Sequence, residues 1–152
     1  MKLKAVLLSL SIGLLISSCS EPDNKTSLSN KQLVRNYIEA FAAQQPEKML
    51  TMVSDDIRWH YLDLNGISYS GSGKKQLTKE LVSYFASTDL QAVEVLKIQS
   101  EGDWLTVFEA PTWLKDKQKY TQKGVAVYYI EDAKISQVWY YPAFEKQELS
   151  SQ

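Results

Sequence analysis

The chain of 152 residues contains one cysteine and one histidine, and it has neither a run of like charge nor an apolar run long enough to span a bilayer. A single cysteine, Cys19, excludes an intramolecular disulfide, and with one histidine, His60, it leaves no plausible set of zinc ligands. A net charge of −1 lacks the electrostatic footprint of a nucleic-acid-binding protein. The segment GSGKK resembles a phosphate loop, but Lys75 stands where a hydroxyl residue is needed. We therefore expect no metal, no cofactor and no nucleic-acid partner.

The N-terminus has the pattern of a secretory signal peptide over residues 1–18. Lys2 and Lys4 precede an apolar stretch from Ala5 to Ile16, which ends in small residues before Cys19. This stretch is shorter than the roughly 20 residues that a membrane-spanning helix needs. We therefore expect a cleaved signal and no permanent transmembrane helix.

The sequence ISSC, residues 16–19, resembles the lipobox of bacterial lipoproteins. The resemblance implies lipid attachment to Cys19, cleavage before it and acylation of the new amino terminus, which together anchor a protein stably to a membrane. Ser20 in place of an aspartate implies the periplasmic side of the outer membrane, if the host is Gram-negative. An ordinary signal peptide with a coincidental cysteine is the alternative. Residues 19–30 are polar after Cys19 and predict a tether.

Hydrophobic periodicity predicts three helices in the first half of the domain. The first starts near Ser29, where Gln32 has capping-box spacing, and the second starts at Pro46. The third covers KKQLTKELVSYFAST, with Leu77, Leu81, Val82 and Phe85 on one side. The segment NGISYSGSG between the first strand and this helix predicts turns.

The second half of the chain predicts strands. After Leu90, four segments rich in β-branched and aromatic residues are separated by short polar turns, and DDIRWHYLDL, residues 55–64, predicts an earlier strand. Together they predict an α+β domain in which a curved, mostly antiparallel sheet wraps over three N-terminal helices as a cone-shaped barrel. The cone should have an open mouth.

This order of elements, with GSGKKQLTKEL opening the third helix and KISQVWYY closing the last strand, is similar to the nuclear transport factor 2-like superfamily and its SnoaL-like group. The resemblance covers about residues 30–143. It implies a SnoaL-like domain over residues 31–144, followed by a C-terminal tail over residues 145–152.

The strand DDIRWHYLDL contains several candidate site residues. With a period of two, Ile57, Trp59 and Tyr61 share the face that meets the helices, whereas His60 lies on the other face. A bulge after Tyr61 would redirect His60 or bring Asp63 into the site as a catalytic group. Without such a bulge, we expect a partly solvated His60 that points away from the cavity, and the alternation favours this arrangement.

Ketosteroid isomerases of this superfamily supply a comparison. They place their catalytic aspartate at the position of Tyr61, a hydrogen-bonding tyrosine at Tyr37 and a second acid at Ala126, so the resemblance carries over only Tyr37. The remaining candidate acid is Glu109, which shares a strand face with Leu105 and Val107. A buried carboxyl group there would have a raised pKa, as a general acid or base requires. The residues favour a carboxylate that is paired at the mouth of the cavity or solvated just before Pro111, and the buried acid or base is the alternative.

Aromatic residues dominate the expected cavity. We expect its lining to include Tyr37, Trp59, Tyr61, Tyr128 and Tyr140, which suits a ring-containing small molecule. The opposite face of the sheet is also apolar and carries Val127, Tyr129, Trp139 and Tyr141. A monomer would expose this apolar face to water. The family resemblance implies pairing through the outer face of the sheet, so we expect a homodimer, and a cover formed by the C-terminal tail is the alternative.

These features favour a membrane-anchored lipoprotein whose pocket binds a small apolar or aromatic molecule without catalysis. An isomerase, cyclase or dehydratase that uses Glu109 with Tyr37 or Tyr61 is the alternative. A dimeric scaffold with a filled core is a third hypothesis. It predicts no open cavity, so the volume of the cavity distinguishes it from the other two.

Overall fold

The computed structural model describes residues 24–142, and side chains from residue 26 onward. The predicted signal peptide, Cys19 and the tail over residues 145–152 lie outside the described residues. The helices are α1 (Asn24–Ala42), α2 (Pro46–Thr51) and α3 (Lys74–Ser87). The strands are β1 (Val53–Asp63), β2 (Gly66–Ser72), β3 (Asp89–Glu101), β4 (Trp104–Lys115), β5 (Gln118–Thr121), β6 (Gly124–Glu131) and β7 (Lys134–Pro142). No helix in the described part of the chain is long and apolar enough to span a membrane.

Helix α1 begins at Asn24, earlier than the predicted start at Ser29, so part of the predicted tether is helical. Two contacts, one with β3 and one with the turn that follows it, explain the extension. The Ser27 hydroxyl lies 2.8 Å from that of Ser100, and the buried Asn30 amide donates to Asp103 at 3.4 Å. Tertiary contacts of this kind extend a helix beyond the limit that its apolar pattern indicates.

The strands form one curved, unclosed sheet in the order β2-β1-β7-β6-β4-β3, with β5 pairing to β4. Only the pairing of β1 with β7 is parallel, so the predicted α+β fold with a mostly antiparallel sheet over N-terminal helices is confirmed. The core between sheet and helices contains fully buried aliphatic side chains from both layers. They include Val34, Met49, Val53, Ile57, Leu105, Val107 and Ile135.

Two strands differ from the prediction. Residues 66–72, which predicted turns, form β2, with Tyr69 opposite Tyr61 of β1. The stretch predicted as a single strand from Lys119 onward is split, because Gln122 and Lys123 separate β5 from β6. Glycine and serine depress strand propensity, but in β2 pairing with β1 outweighs it.

The two ends of the cone differ. At the closed end, the turns after β3 and β6 lie near the first part of α1. Asn30 donates to Asp103 of the first turn, and it shares a surface depression with Asp132 and Ala133 of the second. At the open end, β4 finishes at Lys115, β6 starts at Gly124 and β7 finishes at Pro142. Gln44, just beyond α1, donates to the Leu90 carbonyl at the start of β3, at this same end. Helix α1 therefore runs from the closed end towards the open end.

Candidate functional site

A cavity of about 900 Å³ lies between the helices and the concave face of the sheet. Its floor contains buried residues such as Met49, Ile57 and Leu77, and its lining extends to Lys115 and Pro142 at the open end. The cavity therefore opens at the end of the cone opposite the start of α1. This volume is in the range of small-molecule pockets.

All five aromatic residues expected in the lining are there: Tyr37, Trp59, Tyr61, Tyr128 and Tyr140. The Tyr37 and Tyr128 rings meet edge to face at 6.2 Å, and Tyr61 meets Tyr140 in the same way at 5.8 Å. Edge-to-face contacts restrain the ring orientations. The rings of the two pairs stand at 74° and 77° to one another, so the wall presents both ring faces and ring edges to the cavity. Tyr128 is 4% exposed, whereas Tyr61, nearer the mouth, is 46% exposed.

Glu109 lines the same cavity from β4. Its side chain is 9% exposed and shares the inward face of the strand with Leu105 and Val107, which are fully buried. On β3, the pairing with β4 shifts after Val95, the residue opposite Glu109. A bulge of this kind bends the strand and re-aims neighbouring side chains.

The environment of Glu109 favours the protonated form of its carboxyl group. Within the described residues, no hydrogen bond to its carboxyl group is found, and burial raises its pKa from 4.5 to about 7. Desolvation penalises the charged form, because the surrounding apolar wall replaces water. Near neutral pH, Glu109 therefore exists in both protonation states.

Four tyrosines of the cavity wall are close enough to Glu109 for its charge to affect their ionisation. Burial raises the pKa of Tyr61 to about 12 and that of Tyr37, Tyr128 and Tyr140 further, and the charge of Glu109 raises all four again. These phenols are neutral hydrogen-bond donors at neutral pH. The site thus combines one titrating acid with several fixed donors.

Helix α3 contributes two polar residues that the sequence pattern did not single out, Glu80 and Tyr84. Both line the cavity, whereas Val82, predicted on the inward side, is 55% exposed. Leu77, Glu80, Leu81 and Tyr84 follow the i, i+3, i+4, i+7 spacing of one helix face, and this spacing was the available signal. Burial raises the pKa of Tyr84, and the charge of Glu109 raises it further.

Glu80 holds the wall of the cavity in place. It accepts a hydrogen bond at 3.0 Å from the Trp59 indole, one from the Tyr69 hydroxyl and one at 2.9 Å from the Gln76 amide. Hydrogen bonds to a carboxylate are about twice as strong as neutral ones. The network joins α3 to β1 and β2 and fixes the Trp59 ring.

Two glycines allow the aromatic rings to pack against the backbone. A Cβ on Gly71 would lie 2.2 Å from the Trp59 ring, and one on Gly124 would lie 2.7 Å from the Tyr140 hydroxyl. Gly124 is also the strand partner of Glu109. The Tyr140 hydroxyl therefore lies over Gly124, directly across from Glu109 on the neighbouring strand.

The other two candidate catalytic residues are directed elsewhere. His60 forms part of the cavity wall, but its Nδ1 lies 2.8 Å from the Ser70 hydroxyl and its ring stacks on Trp139 at 5.7 Å. Neither contact residue lines the cavity. Asp63 is exposed and accepts a hydrogen bond from the Asn65 backbone in the turn that follows β1. The pairing does shift after Tyr61, yet it brings neither side chain to Glu109.

In residues 24–142, no group of three His, Cys, Asp or Glu side chains is placed to hold a metal ion.

On the outer face of the sheet, Trp104 stacks on Trp139 at 5.5 Å and contacts Tyr129 at 4.8 Å. This outer aromatic cluster also includes His60. It occupies the face for which the sequence predicts a dimer contact.

An unclosed, curved sheet over N-terminal helices, with a cavity at its open end, defines the nuclear transport factor 2-like fold class. Residues 34–138 match the family described as SnoaL-like domain, and this chain belongs to that family. Curated protein sequences contain no significant match to it.

Solved structures show the same fold at low sequence identity. A putative SnoaL-like polyketide cyclase from Jannaschia sp. superposes with a TM-score of 0.68 at 13% identity, covering 80% of this chain and 90% of that one. An epoxide hydrolase from M. tuberculosis gives 0.67 at 11% identity, with 77% and 84% covered. A putative ketosteroid isomerase from Kribbella flavida gives 0.66 at 19% identity, with 83% and 90% covered.

Proposed function

We propose that the cavity binds a small molecule with an apolar or aromatic ring. The observation that carries this proposal is the open cavity of about 900 Å³ with five ordered aromatic side chains in its wall. A core filled by those rings, as a pure scaffold requires, would leave no such space. The tyrosine hydroxyl groups would orient a polar substituent of the ligand.

Fluorescence titration of the full chain with N-phenyl-1-naphthylamine, a neutral two-ring dye, tests binding. Ala126 is 1% exposed and lines the cavity, so Ala126→Leu should fill part of it and weaken binding at least several-fold. Val127→Ala, at the next position of β6 and outside the lining, is the matched control. Equal affinity of Ala126→Leu and the parent chain would contradict binding in this cavity.

Acid–base catalysis is the second candidate, and the raised pKa of Glu109 favours it. A carboxyl group with a pKa of about 7 exchanges protons efficiently at neutral pH, and Tyr37 or Tyr61 would donate to the oxygen on which charge develops. The structural neighbours named as an isomerase, a cyclase and an epoxide hydrolase support an isomerase, cyclase or dehydratase reaction.

Proton abstraction can be measured with a ring ketone. Deuterium exchange at the α-carbon of 2-tetralone in D₂O should increase as the pH rises through about 7, because the base form of Glu109 removes the proton. Glu109→Gln should abolish the catalysed exchange, and Tyr37→Phe should reduce it. Exchange at the same rate with Glu109→Gln would exclude this role and leave the binding proposal intact.

We also propose that Cys19 carries the lipid that holds this domain in the bacterial cell envelope. The ISSC sequence supports this proposal. Metabolic labelling with palmitate should mark the full chain and should fail with Cys19→Ser. Labelling of the serine variant would contradict lipidation at this residue.

The outer aromatic cluster supports a homodimer through the convex face of the sheet. Trp104 is 47% exposed there beside Trp139, and aromatic patches of this kind are typical of interfaces. Trp139→Lys should shift the mass measured by light scattering from dimer to monomer. A monomeric parent chain would contradict the dimer and favour a cover by the C-terminal tail.

A further inference from the structure

The connection between β4 and β6 carries a concentration of positive charge at the mouth of the cavity. Residues 115–123 contain four exposed lysines and one acid, Asp116. The lysines of this basic rim are Lys115, Lys117, Lys119 and Lys123. The one ion pair found in residues 24–142 joins Asp55 to Lys74, so no described carboxylate forms an ion pair with a lysine of the rim.

Lys115 is the member of the basic rim that belongs to the cavity. It lines the cavity two residues after Trp113, which also lines it and stacks on Tyr120 of β5 at 6.4 Å. Alternate residues of a strand share a face, so Lys115 extends the Trp113 wall outward. Lys119, opposite Leu114 in the pairing, is absent from the lining.

The interior of the cavity has the opposite electrostatic character. Glu80 and Glu109 contribute its two carboxyl groups, and the remaining polar groups are mainly neutral hydroxyls. An anionic substituent deep in the cavity would be desolvated next to these acids, and both effects oppose binding. At the mouth, the same substituent would stay hydrated and meet a lysine ammonium group.

We propose that the ligand is an amphiphilic anion, whose ring or other apolar body occupies the aromatic cavity and whose negative group contacts Lys115 at the mouth. This inference rests on the proposed ligand binding and names its chemical class. A carboxylate, a sulfonate and a phosphate would all satisfy it. The Lys117, Lys119 and Lys123 charges would attract the anion without touching it.

Two dyes with the same ring system test separately the binding of the rings in the cavity and the contact of the anionic group with Lys115. 8-Anilinonaphthalene-1-sulfonate carries a sulfonate that N-phenyl-1-naphthylamine lacks, and both become fluorescent in apolar sites. Lys115→Gln should weaken binding of the anionic dye about three- to fivefold, as expected for a partly solvated charge pair, and should leave the neutral dye unchanged. Lys115→Arg should restore the affinity for the anionic dye.

Lys119→Gln is the matched control, because it removes the same charge from the same connection but from a side chain outside the lining. It should lower the anionic affinity less than Lys115→Gln does. Equal losses of affinity from both variants would show that the anionic dye responds only to the overall positive charge of the basic rim. That result would overturn the proposed contact with Lys115. An anionic affinity unchanged by Lys115→Gln would also overturn it.

The neutral dye reports on the underlying function. If the parent chain fails to bind N-phenyl-1-naphthylamine, the proposed ligand binding fails; if it binds while the anionic dye shows no dependence on Lys115, the further inference alone fails. Sedimentation with phosphatidylglycerol vesicles distinguishes the source of the anion. Vesicle binding that Lys115→Gln abolishes would assign the lysine to a lipid headgroup and overturn its role towards a free small acid.

Discussion

The raised pKa of Glu109 predicts that this residue lowers the stability of the fold at alkaline pH. In the folded chain its pKa rises from 4.5 to about 7, so the folded state binds the proton more tightly than the unfolded state does. The stability from this difference is complete below pH 4.5 and is lost as the pH rises through about 7. A shift of this size corresponds to about 3 kcal/mol.

Glu109→Gln removes the titrating group and keeps the size of the side chain. The free energy of unfolding, measured by urea denaturation at pH 4.5 and pH 8, should therefore fall less in the variant than in the parent chain. The difference between the two pH dependences should approach 3 kcal/mol. Glu94→Gln, an exposed glutamate on β3, is the control for a surface carboxylate. Equal pH dependences of the parent and Glu109→Gln would refute the burial of an unpaired acid.

Three further substitutions test the wall of the cavity. Gly71→Ala would place a Cβ 2.2 Å from the Trp59 ring, and we expect a loss of about 1–3 kcal/mol in unfolding free energy and a shifted tryptophan emission. In Gly124→Ala, the new Cβ would contact the hydroxyl end of Tyr140, which can move, so we expect a smaller loss of stability than for Gly71→Ala. The displaced Tyr140 ring should weaken N-phenyl-1-naphthylamine binding. Unchanged binding would contradict a role for that ring. Glu80→Gln weakens the hydrogen bond from Trp59, and urea denaturation should show a loss of about 1–2 kcal/mol; an unchanged midpoint would show that the network does not support the wall.

The helices and the strand-rich second half were predictable because their apolar residues recur with helical or alternating period. Residues 66–72 were not, because β2 consists of glycine, serine and isolated larger residues that the pairing with β1 holds in place. Local propensity carries no information about that partner. The same limit applies to the start of α1, where contacts with Ser100 and Asp103 extend the helix.

Strand alternation placed Glu109 and the four aromatic lining residues of the strands, and the family resemblance placed Tyr37 of α1, but neither predicted the contribution of α3. Glu80 and Tyr84 are polar or amphipathic, and a search for apolar stripes assigns such residues to solvent and prefers Val82. The cavity itself reverses that rule, because polar side chains can line it inside the domain. The pKa of Glu109 depended on neighbours from several strands and helices, which no single segment of sequence reveals.

The early start of α1 has a consequence for the direction from which a ligand arrives. If Cys19 carries a lipid, as we propose, residues 20–23 separate it from Asn24, and such a stretch reaches at most about 18 Å. The 19 residues of α1 form a helix about 28 Å long that runs towards the open end. The bilayer would then lie beneath the closed end, and the binding site would sample solutes of the aqueous compartment instead of lipids in the leaflet.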